Sequence, residues 1–291
     1  MTADRTTVRA ADGRDLDVLR HGAPDAFPLV FHCGTPNAPD EFPMLFDAVD
    51  ARGWQLVAHA RPGYAGSSRQ AGRSVADAAS DVAAILDAFG LERFVTLGWS
   101  GGGPHALACA ALLPGRCQAA ASLAGVAPYD AEGLDFLAGM GEENVDEFTR
   151  AAHGRAELEP MLESWGAAMA TVSADQVSGM LGDLVDDVDA RALTGDLAET
   201  MARMIRRALS TGIAGWLDDD LAFVRPWGFD LGAMSVPVSI WQGAHDRMVP
   251  FAHGEWLAAH VPGARVHLYD DEGHISLAQQ LPRILDDLSG S

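Results

Sequence analysis

Three short stretches of this 291-residue chain hold residues suited to nucleophilic catalysis. Gly98-Trp99-Ser100-Gly101-Gly102 matches G-x-S-x-G, between an apolar run and a helix start. A serine on a sharp strand-to-helix turn stands above the sheet edge, and small residues on either side let strand and helix approach. The hydroxyl needs a base, and the base needs a group that fixes its tautomer. On this kind of scaffold the chain order is serine, acid, histidine. Asp246 follows an apolar run through Gly243-Ala244-His245, and His274 follows another through Asp270-Asp271-Glu272-Gly273. Ser100 is therefore the expected nucleophile, His274 the expected base and then acid, and Asp246 the expected orienter. An acyl transfer also needs donors for an oxyanion. Gly101 N–H is one candidate, and Thr35 or Gly34 in His32-Cys33-Gly34-Thr35-Pro36 offers the second, with Thr35 preferred. Cys33 has no base at a fixed spacing and reads as a packed thiol. His253, His260 and His267 read as surface or packing residues, and Asp270 and Asp271 as solvated loop charges.

These positions require a sheet whose strand ends converge. Apolar runs at 16–19, 29–32, 56–58, 94–97 and 119–123 read as strands, most ending in Gly or Pro. Continuous apolar runs suit strands buried on both faces of a parallel sheet. Helices fall between them. Ser74-Val75-Ala76-Asp77 has the form of a capping box ahead of Val82, Ile85, Leu86 and Phe89, and Pro104 suits a first helical turn. Strands resume at 236–241 and 266–269, with helices at 255–260 and 275–288. From about 126 to 235 helical spacing dominates, and this stretch holds 21 acidic and 7 basic residues. The expectation is an α/β core of residues 1–125 and 236–291, a mostly parallel sheet flanked by helices, with an all-helical cap inserted at 126–235.

Charge narrows the range of partners. The 41 acidic residues against 20 basic ones leave a formal net charge of −21, and every basic residue is arginine. Phosphate backbones reward basic patches, so nucleic acid is not an expected partner. An anionic membrane surface would repel the chain as well. No run approaches the roughly 18 apolar residues of a membrane span, and residues 1–13 lack the form of a secretory signal. Cys33, Cys109 and Cys117 are odd in number and contain no C-x-x-C pair, which points to a reducing cytoplasm without a disulfide framework or zinc site. No metal or cofactor is expected. A small-molecule substrate is the expected partner, and no sequence feature indicates an oligomer.

The chain resembles α/β-hydrolase fold proteins, most closely the proline-iminopeptidase-like serine hydrolases with a helical cap. The resemblance rests on the loop at 32–36, on Arg61-Pro62-Gly63-Tyr64-Ala65-Gly66-Ser67-Ser68, on 98–104, on Asp246-Arg247-Met248-Val249-Pro250 and on Glu272-Gly273-His274. It implies a triad of Ser100, Asp246 and His274, and an oxyanion hole of Gly101 with Thr35 or Gly34. Two departures stand out. The loop reads His-Cys-Gly-Thr-Pro where many relatives read His-Gly-Gly or His-Gly-x-Pro, and Ala60 stands where relatives often carry Asp. Position 100 is Ser, which argues against the dehalogenases and epoxide hydrolases of this fold, whose nucleophile is Asp.

The expected function is hydrolysis of a carboxylic ester, thioester or lactone through an acyl-enzyme. An aminopeptidase is the alternative within the same machinery, its substrate amine held by acids such as Glu142, Glu143, Asp146 and Glu147. A non-catalytic small-molecule-binding homologue, or a lyase or cofactor-free peroxidase using the same triad, are the others. Trp99, Trp165, Trp216, Trp227 and Phe229 are expected to contribute apolar lining, with Glu142 and Glu143 at its polar end. Asp218-Asp219-Asp220 reads as solvated charge or a helix cap.

Overall fold

The consecutive apolar residues of the first half become strands covered on both faces. In the computed structural model, which describes residues 3–290, the strands are β1 (Asp4–Arg9), β2 (Asp15–His21), β3 (Phe27–His32), β4 (Trp54–His59), β5 (Phe94–Trp99), β6 (Cys117–Leu123), β7 (Val238–Gly243) and β8 (Arg265–Tyr269). Met1 and Thr2, the first residues of the stretch read for a secretory signal, lie outside the described residues. All eight strands share one sheet in the order β1-β2-β4-β3-β5-β6-β7-β8. The β1–β2 and β2–β4 pairs are antiparallel and every other pair is parallel. Every residue of β5 and β7 is buried, the pattern of central strands with helices on both faces.

The helices are α1 (Pro43–Asp50), α2 (Asp77–Ala88), α3 (Gly103–Leu112), α4 (Glu142–His153), α5 (Arg155–Met169), α6 (Ala174–Leu181), α7 (Asp187–Ala192), α8 (Gly195–Ala208), α9 (Ala214–Phe223), α10 (Phe251–His260) and α11 (Leu281–Ser289). Six of them, α4 to α9, fall between β6 and β7, where the described residues contain no strand. The two ends of that stretch are not detached from the sheet. Phe136, Met140, Trp227, Leu231 and Met234 share one apolar cluster with Val30, Val57 and Leu107. Among the described residues no helix is long and apolar enough to cross a membrane.

Some elements depart from expectation for identifiable reasons. β1 has no apolar run because only Val8 is buried in it, and arginines on an edge strand discourage pairing with other chains. The final helix is split, with a 3-10 turn at Ser276–Gln280 before α11. Pro282 sits in the first turn of α11, where a missing N–H does no harm. The box at Ser74 is half formed: Asp77 Oδ2 accepts the Ser74 amide at 2.7 Å, but the Ser74 hydroxyl also turns to that carboxylate, at 2.9 Å.

Candidate active site

The turn between β5 and α3 carries Ser100 at φ 57°, a left-handed conformation for a residue with a side chain. Such a position costs about 1–3 kcal/mol and persists only where neighbours fix it. Two glycines make the turn possible. A Cβ on Gly98 would lie 2.1 Å from Gly102 O, and one on Gly102 would lie 2.1 Å from His32 O. No side chain fits at either position, so the turn is pressed between its own strand and the end of β3. Behind it Pro104 occupies the first turn of α3, whose N-terminal end favours negative charge near Ser100.

Asp246 and His274 come from the loops after β7 and β8 and meet in the interior. His274 Nδ1 lies 2.8 Å from Asp246 Oδ2. The carboxylate is fixed on its other sides: Oδ1 accepts the amides of Met248 at 2.9 Å and Val249 at 2.7 Å, and Gln242 Nε2 donates to Oδ2 at 2.9 Å. Gln242 was not anticipated from the sequence, because its role depends on facing a loop four residues later. Burial opposes a charge on His274, but Asp246 and then Asp189 more than offset it, so its pKa lies above the ordinary imidazole value. Trp99, the residue before Ser100, donates from its indole to His274 O at 3.2 Å and stacks on the imidazole with centroids 6.3 Å apart. The hydrogen bonds among the described residues do not include one from the Ser100 hydroxyl.

The loop after β3 is held against this turn by buried charge. Arg61 donates to Cys33 O, to Gly34 O at 2.9 Å and to Thr35 Oγ1 at 2.9 Å. Its guanidinium also meets Asp219 Oδ2 at 2.6 Å, and Arg73 reaches Asp219 Oδ1 at 2.7 Å. Thr35 Oγ1 and Tyr64 OH donate to Asp219 Oδ2 at 2.9 and 2.8 Å. Burial alone would raise the Asp219 pKa, yet Arg61 and Arg73 hold it well below the usual carboxylate range. With Ala at position 60, the side-chain contacts that hold this loop come from Arg61, the next residue. Cys33 is buried, and burial pushes its thiol up to about 12, which suits a packed group.

A cavity of about 380 Å³ opens beside Ser100, touching Thr35, Gly101, Trp165, Trp216, Met169 and Phe223. Gly34 sits one residue back, where an added Cβ would lie 3.2 Å from Ser100 Cβ. Several expectations about the lining need correction. Glu142 is exposed at the start of α4 and does not reach the cavity, whereas Glu143 does. Trp99 is buried against Phe42 and His274 outside the cavity. Trp227 is buried beside Phe229, where its carbonyl accepts the Ala76 amide, also away from it. The largest correction concerns Asp218-Asp219-Asp220, all buried in α9. Asp218 pairs with Arg69 at 2.8 Å, Asp219 with the two arginines above, and Asp220 with Glu147 in the cavity wall. Burial raises the pKa of Glu147, and burial with the Glu147 charge raises that of Asp220 well above the ordinary carboxylate range; Glu147 Oε1 accepts the Trp216 indole at 2.6 Å. His253 is a packing residue as read, receiving the Ala127 amide at 3.1 Å. Asp270 and Asp271 are exposed.

The family model described as alpha/beta hydrolase fold matches residues 28–280. Over 157 residues the chain is 33% identical to a non-heme chloroperoxidase of Streptomyces lividans, covering 52% of this chain and 56% of that one. Over 94 residues it is 34% identical to the pimeloyl-(acyl-carrier protein) methyl ester esterase of Aromatoleum aromaticum, covering 32% of this chain and 35% of the relative. The chain thus spans about half, or less, of the length of these two curated relatives. A hydrolase from Pseudomonas aeruginosa superposes with a TM-score of 0.71 at 19% identity over 99% of both chains, a likeness of fold.

Proposed function

The chain belongs to the α/β-hydrolase-fold family, and on that premise we propose that it is a serine hydrolase cleaving a carboxylic ester, thioester or lactone through an acyl-enzyme on Ser100. The observation that carries this reading is the 2.8 Å contact between His274 Nδ1 and Asp246 Oδ2 beside the strained Ser100 turn. With Nδ1 engaged, Nε2 is the nitrogen left to take the serine proton. In unliganded sites that last contact commonly closes only when substrate arrives.

The steps follow from where the groups sit. His274 takes the Ser100 proton as the oxygen attacks the carbonyl carbon. The resulting oxyanion lies on the amides of Gly101 and Thr35, each contributing roughly 3 kcal/mol in the transition state. His274 then gives its proton to the leaving alkoxide or thiolate, and water repeats the cycle on the acyl-enzyme. The insertion α4 to α9 acts as a lid, and its Trp165, Met169 and Trp216 shape an apolar acyl pocket. Three acids and no basic residue line that pocket, which disfavours acyl groups bearing a carboxylate. Three buried free thiols fit a reducing cytoplasm.

Hydrolysis of p-nitrophenyl esters of graded chain length, with fluorophosphonate labelling of wild type and Ser100→Ala, tests the proposal. Turnover and labelling should both vanish in the variant, and Trp165→Ala should move the preference towards longer acyl chains. A folded wild type that neither labels nor turns over esters would instead be a binding protein. One observation favours a second reading, an aminopeptidase: the buried Glu147–Asp220 pair could exchange its proton for a substrate ammonium. That reading requires cleavage of amino-acid arylamides and its loss in Glu147→Gln. Because one relative is named a chloroperoxidase, peroxide-dependent halide oxidation belongs in the same set of assays.

A further inference from the structure

The helical insertion reaches under the His274 loop with a single carboxylate. Asp189, in α7, is fully buried. Its Oδ2 accepts the His274 amide at 2.8 Å, and its Oδ1 accepts the amides of Ile275 at 2.8 Å and Ser276 at 2.9 Å. Three consecutive N–H groups at the start of a 3-10 turn are thereby satisfied by one side chain from a distant part of the sequence. The fit is close on both sides: a Cβ on Gly273 would lie 2.4 Å from Asp189 Oδ1. Any residue but glycine before His274 would push the carboxylate out.

Two further acids of the same segment reach the loop that carries Asp246. Asp183 receives the Arg247 guanidinium at its carboxylate and at its carbonyl, the latter at 2.8 Å. Asp186 lies 2.9 Å from His245 Nδ1 and also accepts the amides of Val188 and Asp189, which starts α7. Acids at 183, 186 and 189 therefore touch the residues on both sides of Asp246 and the backbone of His274. None of the three lines the cavity beside Ser100.

We propose that Asp189 is a positioning residue for the hydrolysis argued above: from the insertion it fixes the backbone that aims the His274 imidazole, and Asp186 and Asp183 hold the neighbouring acid loop in the same clamp. The inference rests on the reading of Ser100, Asp246 and His274 as a triad. The clamp makes the base and its orienter depend on the insertion being docked, so the lid and the chemistry are one mechanical unit. Charge acts in the same direction as geometry. Burial disfavours a charge on His274, while the carboxylates of Asp246 and Asp189 favour it. Around Asp189, burial raises its own pKa and Asp246 adds to that, while the loop amides and His274 oppose. Glu272, the remaining acid of this loop, is engaged by the Ser276 hydroxyl and the Gln280 amide.

The test is Asp189→Asn, which keeps the shape and the two bonds at Oδ1 but removes the charge and turns an N–H against the His274 amide. With a p-nitrophenyl ester, kcat should fall by about 10- to 100-fold, the scale of a misplaced catalytic group. KM should stay within about twofold, since Asp189 does not touch the cavity. The acidic limb of the pH profile should move to lower pH, which a role in stability alone would not produce. NMR titration of His274 in both proteins gives the same comparison without turnover, so it remains decisive even if the wild type proves inactive on esters and the hydrolase reading fails. An unchanged His274 titration with kcat within twofold of wild type overturns the proposal. If Asp189→Asn does not fold, Asp186→Ala, which removes the acceptor of the Val188 and Asp189 amides and so loosens the start of α7, should lower kcat at constant KM. Unchanged kinetics in that variant overturn the proposal equally.

Discussion

Lowering the pH should strip stability from this protein through His59, and the size of the loss follows from its surroundings. His59 ends β4 in the interior, its Nε2 without a partner and its ring edge-on to His32 at 5.9 Å. Burial pushes its pKa down to about 4; Asp81 opposes this, and Arg61, Arg14 and Arg73 add to it. In an unfolded chain a histidine titrates near 6.5. Between these two values the unfolded chain holds a proton here that the native one does not. Stability from this group is therefore complete above pH 6.5 and is lost as the pH falls towards 4. At about 1.4 kcal/mol per pH unit, that interval is worth about 3 kcal/mol, a large share of the 5–15 kcal/mol typical of a folded domain. Urea unfolding of wild type and His59→Gln at a series of pH values isolates it, because contributions from His32, His105 and the carboxylates largely cancel in the difference. The variant starts lower through lost packing, so the slope is the readout. Wild type should lose about 3 kcal/mol more than the variant between pH 7 and pH 4. Parallel curves would mean that His59 takes up its proton at the same pH in the native and unfolded protein, and the burial argument would be wrong.

Asp219→Asn removes the anion between two buried guanidinium groups. It should cost about 3–5 kcal/mol in urea unfolding, the scale for breaking a buried pair, and a loss under about 1 kcal/mol would contradict the assigned role. Gly98→Ala puts a methyl group 2.1 Å from Gly102 O. That variant should either fail to fold or fold without fluorophosphonate labelling at Ser100. Gly179 is exposed within α6 with open space at its Cβ position. Gly179→Ala should raise stability by about 0.5–1 kcal/mol, and a measured decrease would refute this account of α6.

The parts legible in the sequence were those set by local chemistry. Apolar runs announced β3 to β6 because strands buried on both faces carry mostly apolar residues. The Ser100 turn was legible because its glycines and its flanking elements are adjacent in sequence. Asp246 and His274, whose side chains meet at 2.8 Å, stand out in the sequence through their place after strand-like runs. What escaped was built from distant pairs. Asp218, Asp219 and Asp220 looked like solvated charge because their partners, Arg69, Arg61, Arg73 and Glu147, lie far away along the chain. Glu142 and Glu143 are adjacent, but successive residues of a helix face different ways, and only Glu143 turns inward. Trp99 and Trp227 were buried as large aromatics usually are, but against the core instead of the cavity. Asp183, Asp186 and Asp189 did leave a signal in their spacing of three, but only the folded loops show what they hold.

The acidic triplet of α9 gives a physical reason for its own burial. Neighbouring residues on a helix point about 100° apart, so three successive carboxylates cannot serve one partner. Here each meets a different one, and α9 can be buried on all sides despite its charge. Around the Ser100 turn the buried charges can also balance. Arg61 and Arg73 bring two positive charges and Asp219 one negative. Burial and the Glu147 charge raise the Asp220 pKa while Arg73 opposes, and a single proton shared by Glu147 and Asp220 would bring the second negative. A pair with both protons would leave the buried cluster positive, and a pair with none would leave it negative; one proton makes it neutral, the state an apolar interior tolerates best. The same proton is then the part of the wall that a substrate can change. A neutral acyl group leaves it in place, whereas a bound ammonium would replace it and keep the total the same. The choice between ester and amine substrates therefore depends on whether that proton leaves Glu147 and Asp220 when substrate binds, and proton release on binding distinguishes the two.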